Sequence, residues 1–378
     1  SAMEDALAGT PIDPNSNILA MMVSVAGTGG VAVNGAFVGN VISNTITTDI
    51  DNSIVTSTGG TLDMASDSGA GITNLTVGVA GSGAVAVNAT GFGNVITNDV
   101  TATIRNGSDV TTDSGAISLH AEDGSMIRSL GVSVAGTGAV AAGALIAANV
   151  ITNSVVAEVS GSTVSSGSTL DLTAINDASI LGLTVGVAGS GAAAGLLSLT
   201  GNVIANTTRA AISSEEDDGG TDSAIDAAGS VALSATDESE INSIAIGVSA
   251  TGGGAFGAAV SSNVIANSTA TELSDTVLES DGALSLDSTS SAIVRTVAVG
   301  VSGSGGAAVQ LTVLGNSIAN DTSAAISGST VTTSGDISLS AAEEAPSMVP
   351  LMDEIGDYIL DAETKEGLEA SLSGSPVD

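Results

Sequence analysis

With 41 acidic side chains against five basic ones, carboxylate oxygen is the main chemical resource of this 378-residue sequence. Hard oxygen donors suit calcium. The densest set is Glu215, Glu216, Asp217, Asp218 and Asp222, with Asp49 and Asp51 a sparser pair. These are the candidate metal ligands, and calcium is the ion they would take. The toxin-type calcium nonapeptide Gly-Gly-Xaa-Gly-Xaa-Asp is absent, and a charge run of this kind is by default a solvated loop. His120, the only histidine, lies in the alternating run Ile117–Ala121, where the sequence names no paired group for general-base work. No phosphate-binding loop or zinc-ligand spacing occurs. No catalytic residue is assigned, and a non-enzyme is expected. A glycan-active enzyme would need basic or aromatic partners beside its carboxylates; it would be tested first at Asp217, Asp218 and Asp222.

Asparagine carries the strongest pattern. Asn-(Val/Ser)-Ile-Xaa-Asn recurs six times: Asn40–Asn44, Asn94–Asn98, Asn149–Asn153, Asn202–Asn206, Asn263–Asn267 and Asn316–Asn320. Successive first asparagines lie 54, 55, 53, 61 and 53 residues apart. A fixed period of this size marks one supersecondary unit repeated against itself, whose apolar face only its neighbours can bury. Stacked amides can hydrogen-bond along such an array and hold a bend in each coil, so these twelve asparagines form the expected structural ladder.

The second repeat shows what the unit is made of. Ile72–Ala80, Ala84–Asn88, Val100–Ile104, Val110–Thr112 and Ile117–Ala121 are short, alternating and rich in Val, Ile and Thr, as half-buried strands are. A Gly-rich turn recurs in register, as at Gly81-Ser82-Gly83, Gly136-Thr137-Gly138 and Gly303-Ser304-Gly305, and so does a late strand, as at Leu170-Asp171-Leu172. The one long spacing comes from the acidic segment 215–222, which reads as a surface-loop insertion. Threonines at 45, 47, 48, 332 and 333 do not hold one position in every repeat, so they speak for strand propensity rather than an ordered-water template.

Aromatic residues are only 1% of the chain, so its core must be Val, Ile, Leu and Ala. The net charge of −36 argues against nucleic acid and anionic membrane surfaces as partners. There is no cysteine, no stretch resembling a signal peptide and no apolar run long enough for a membrane-spanning helix, so membrane insertion is not expected. Residues 1–17 read as a tag scar (Ser1-Ala2-Met3) and lead-in to an excised segment, 18–342 as the six-repeat array, and 343–378 as an acidic segment. Leu351, Met352, Ile355 and Ile359 predict a short helix near 351–360, serving as a cap or linker.

The expected fold is an all-β parallel β-solenoid of six repeats of about 54 residues. Each repeat could hold two or three turns, or one turn with an out-looping pair of strands. A six-bladed β-propeller is the alternative, disfavoured by the lack of aromatic residues between blades; a membrane barrel would need aromatic girdles.

The sequence Val-Xaa-Val-Ala-Gly-(Ser/Thr)-Gly, followed by Asn-Val-Ile-Xaa-Asn and then by runs such as Ala157–Val164 with Leu170–Ala174, or Ala325–Val331 with Ile337–Ala341, resembles large repetitive bacterial exoproteins. These are the filamentous-haemagglutinin-like and leukotoxin-like filamentous adhesins, and the resemblance covers about residues 18–342. It implies a right-handed β-helix, an extracellular or cell-surface location, and a shaft role in adhesion or extracellular matrix. Partners would be other segments of the same giant protein and a host or surface glycan or protein. The family's N-terminal secretion-recognition region has no counterpart here. A calcium- or glycan-binding module is the alternative function.

Overall fold

The marker Asn-Xaa-Ile-Xaa-Asn is the inner face of a strand. In Asn94–Asn98 the first, third and fifth residues are buried while Val95 and Thr97 point outward, as the two-residue period of a strand requires. The computed structural model describes residues 16–214 and 223–344. The acidic insertion and the expected helix near 351–360 lie outside those residues. The chain divides into a unit of residues Ser1–Glu343, which carries the β-structure, and a C-terminal unit, Glu344–Asp378, of which only Glu344 is described.

Each repeat is one coil of a parallel β-helix. One coil runs along Val140–Ile151, bends at Thr152-Asn153, continues as Ser154–Ser160, and turns a corner into Thr163–Ser166. A second corner leads into Leu170–Ser190, and the tip Gly191-Ala192 starts the next coil at Ala193. Every segment pairs in parallel with its counterparts in the coils before and after, for example Asn149 with Asn94 and Asn202, and Leu170 with Ile117 and Val231. Three sheets result. A long sheet carries the Leu170–Ser190 strand and its equivalents, a bent sheet carries Val140–Ser160, and a short sheet carries Thr163–Ser166. Parallel pairing across one whole repeat overturns the propeller, whose blades are antiparallel sheets closed within a repeat. It also removes the two- or three-turn coil. The length of each repeat is taken up by strands as long as 21 residues.

Backbone geometry marks the corners. A side chain at the tip would strike the coil before: a Cβ on Gly138 would lie 2.5 Å from the carbonyl oxygen of Gly83, and one on Gly191 2.1 Å from that of Gly138. The corner into the short sheet uses left-handed residues, Asn52, Asn106, Gly161, Asp275 and Gly328, with φ between 45° and 63°; these are the residue types that tolerate it. In the fourth coil the strand before this corner ends at Ser213, and pairing resumes with Ala224 opposite Thr163.

The interior changes character along the coil. At the root, between all three sheets, lies an apolar core stacked in columns such as Ile117, Leu170, Val231 and Leu284. Next comes a polar layer, then an isoleucine layer in which Ile96, Ile151 and Ile204 of the bent sheet meet Ile127, Ile180 and Ile241 of the long sheet. A second polar layer lies beyond the isoleucines. Farther out, toward the tip, small residues of the long sheet face larger ones of the bent sheet such as Phe92, Leu145 and Leu196.

Candidate functional site

The first polar layer from the tip side is an unbroken amide chain. Asn40 donates to Asn94 (2.7 Å), Asn94 to Asn149 (2.8 Å), Asn149 to Asn202 (2.8 Å), Asn202 to Asn263 (2.7 Å) and Asn263 to Asn316 (2.9 Å), Nδ2 to Oδ1 each time. In the four inner coils these side chains are wholly buried. Each amide donates to one neighbour and accepts from the other, so repetition itself satisfies what would be costly alone.

The fifth position of the marker does a different job. It sits at the bend in the bent sheet, and its Oδ1 takes the backbone N–H of the equivalent asparagine one coil earlier. The bonds are Asn44 to Asn98 (3.3 Å), Asn98 to Asn153 (3.0 Å), Asn153 to Asn206 (2.9 Å), Asn206 to Asn267 (3.0 Å) and Asn267 to Asn320 (3.2 Å). The side chain thus supplies an acceptor for the main chain where the strand turns.

Facing this second ladder across the interior is a column of the long sheet: Ser68, Asp123, Asn176, Asp237 and Ser290. Asp123 accepts from Asn98 (2.8 Å) and Asn153 (2.6 Å). Asp237 accepts from Asn176 (2.8 Å), Ser239 (2.9 Å), Thr208 (3.4 Å) and Asn267. Both carboxylates are fully buried, and Asn176 between them keeps two like charges out of adjacent coils. Burial pushes the Asp237 carboxyl up to about 6 from its ordinary 3.8, against the donors Asn176, Ser239 and Thr208, which favour the charged form. The marker pattern in the sequence named the asparagines; it missed these two aspartates, whose inward position follows from alternation with Leu172 and Ala174 on the same strand type.

Outside, the described acidic groups lie toward the root on all three sheets, Asp109, Asp226 and Glu279 standing on the short one. Asp177 is raised above its ordinary value by burial, and further by Glu238, Glu240, Glu122 and Asp123. His120 is not isolated: its Nε2 lies 3.1 Å from Glu122 and 3.8 Å from Asp67. The three form an exposed group whose ligand atoms fall within 4.8 Å of one another. Glu122 shares the outer face of the strand with His120, and Asp67 comes from the neighbouring coil. Asp49 and Asp51 are not a free calcium pair. Arg105 reaches both, at 2.8 and 3.5 Å, and the Arg105 hydrogen bond holds the Asp49 carboxyl below its ordinary value. Arg209 likewise spans two coils, touching Glu158 (2.7 Å) and Glu272 (3.3 Å). Glu215, Glu216, Asp217, Asp218 and Asp222 lie outside the described residues.

The tip half turns the usual pattern around. On the strand Ile117–Thr137 the inward residues are Gly131, Ser133 and Ala135, while Leu130, Val132 and Val134 face out. The same holds down the stack. One inward column reads Ser24, Gly78, Ser133, Gly186, Gly247 and Gly300; the adjacent outward column reads Val23, Val77, Val132, Val185, Ile246 and Val299. Space explains it: a Cβ on Gly78 would come within 2.1 Å of Thr90 Oγ1, on Gly131 within 2.7 Å of Phe92, and on Gly186 within 2.9 Å of Leu196. Phe92, Leu145 and Leu196 of the bent sheet occupy that interior, so the long sheet admits only small residues inside and alternation leaves its large apolar ones on the surface.

Comparison with known proteins gives no matching family model, no matching curated protein and no matching solved structure.

Proposed function

We propose that this chain is a structural shaft segment of a secreted bacterial surface adhesin or extracellular matrix protein. The observation that carries this reading is the continuity of the stack. Six coils are joined without interruption by in-register main-chain pairing and by two asparagine ladders that run from coil to coil. Each coil is both roof and floor for its neighbours, so length can be added without a new fold. Among the described residues, the basic side chains Arg105 and Arg209 pair with carboxylates of neighbouring coils, so these ion pairs also tie one coil to the next.

The test is removal of one coil, residues 140–192, which joins the tip at Ala139 to the equivalent position at Ala193. The shortened chain should fold cooperatively with the same circular-dichroism spectrum and a lower sedimentation coefficient. Collapse to an unfolded chain would count against a modular shaft.

A further inference from the structure

Charge in this sequence is segregated. Residues 14–48, 68–98, 129–157, 178–208, 241–271 and 296–320 contain no Asp, Glu, Lys, Arg or His. The described parts of all six segments stack on one another as the tip half of the coils. The outer face of the long sheet there is three columns deep. Beside the Val23 column stand Met21, Leu75, Leu130, Leu183, Ile244 and Val297, and then Val25, Val79, Val134, Val187, Val248 and Val301. All are Val, Leu, Ile or Met. In the outermost coils Val23 is 67% exposed and Val299 44%. A contiguous apolar face of this kind on a charged protein marks an interaction surface.

We propose that this face is where a second copy of the chain docks, long sheet against long sheet. Three observations select that occupant. The face is made of parallel apolar columns repeating at the coil spacing, so it can meet a copy of itself, as a two-fold contact requires, and its Val-rich ridges can interdigitate as paired sheets do. Its size suffices: six coils at about 4.8 Å by three outward positions at about 6.7 Å give a footprint of roughly 600 Å² per partner, the lower bound of a specific complex. Charge steers the approach. A net charge of −36 repels another copy from every side except the uncharged half, so copies meet tip half to tip half. A lipid bilayer fits less well. The sequence has no Trp and one Tyr to sit at an interface, and the tip turns are Gly-Ser-Gly, Gly-Thr-Gly or, once, Ala250-Thr251-Gly252, each with a hydroxyl at its centre.

Sedimentation velocity on the whole chain tests this. The unaltered protein should pass from monomer to dimer as concentration rises, and more readily in high salt, where self-repulsion is screened. Val132→Lys and Val185→Lys place a cation on the face, twice per dimer, and should weaken association by about tenfold or more while leaving the circular-dichroism spectrum and Tm unchanged. Ser165→Lys adds the same charge on the short sheet and should associate like the unaltered chain. Should the lysine variants not fold, Val132→Thr with Val185→Thr keeps the strand propensity and removes the apolar contact, with the same loss expected. The proposal fails if the unaltered chain stays monomeric at the highest concentration and salt. It fails if the face variants associate as well as the unaltered protein, or if a monomer instead floats with neutral phosphatidylcholine vesicles.

Discussion

At the scale of single residues, this protein uses repetition to make buried polarity inexpensive. Asn149 takes a hydrogen bond from Asn94 and gives others to Asn202 and Ser129. Asn149→Ala therefore leaves the Asn94 donor and the Asn202 acceptor facing a gap, at about 1–3 kcal/mol for each unsatisfied group. Denaturant unfolding should show a loss of several kcal/mol, larger than for Ser165→Ala on the outside of the short sheet; equal losses would mean the ladder carries no stability. Asp237 behaves in the opposite sense. Its folded carboxyl titrates at about 6, above the ordinary 3.8, so between those values the folded chain holds a proton that the unfolded chain has released. The stability from that proton is complete below 3.8, declines as pH rises and is gone above about 6, a difference on the order of 3 kcal/mol. Asp237→Asn removes the penalty of the buried charge. The Oδ1 of Asn176 has no partner, so that amide can rotate to accept from the new Nδ2. The variant should be more stable than the parent at pH 7 and less dependent on pH between 4 and 6; an unchanged pH profile would show that Asp237 does not titrate there.

At the scale of elements, strand content, period and bend were legible because they depend on local rules: alternation, glycine at turns, and an asparagine pair four residues apart. Which face of a strand turns inward was not legible throughout. In Ile72–Ala80 the alternation of Val77 and Val79 with Gly78 and Ala80 fixes the two faces but not their direction. The larger residues look like core, yet at the tip side chains of the facing sheet such as Phe92, Leu145 and Leu196 already fill the interior, and that occupancy is a property of the coil rather than of the segment. His120 shows a milder form of the same limit: Glu122 was within reach of a strand-based reading, whereas Asp67 enters only through stacking. The tightest local requirement is the glycine at the tip. Gly138→Val brings a branched side chain against the Gly83 carbonyl, 2.5 Å from the position of its Cβ. Main chain must shift in two coils, so a loss of about 2 kcal/mol or more is expected by thermal or denaturant unfolding. Gly136→Val, at a tip position with nothing within 4 Å, should cost much less. Equal effects would show that the tips are not in contact.

At the scale of the molecule, the array is a one-dimensional chain of interfaces, and its mechanical behaviour stems from that. A coil inside the stack is held on two sides by main-chain bonds and side-chain ladders; an outer coil is held on one, so unravelling starts at an end and advances coil by coil. Pulled by its termini, each step frees one repeat. The repeats span 53, 54, 55 or 61 residues, and an extended residue contributes about 3.6 Å, so most steps should lengthen the chain by about 19 nm and one by about 22 nm. That longer step belongs to the fourth coil, and deleting residues 215–222 should bring it into line with the rest without altering the others. Single-molecule extension reads both results directly. A single rupture releasing the whole array, or steps unrelated to the repeat length, would show that the coils do not act as separable units, and a shaft that shields its distal region by yielding one coil at a time would not be what this stack provides.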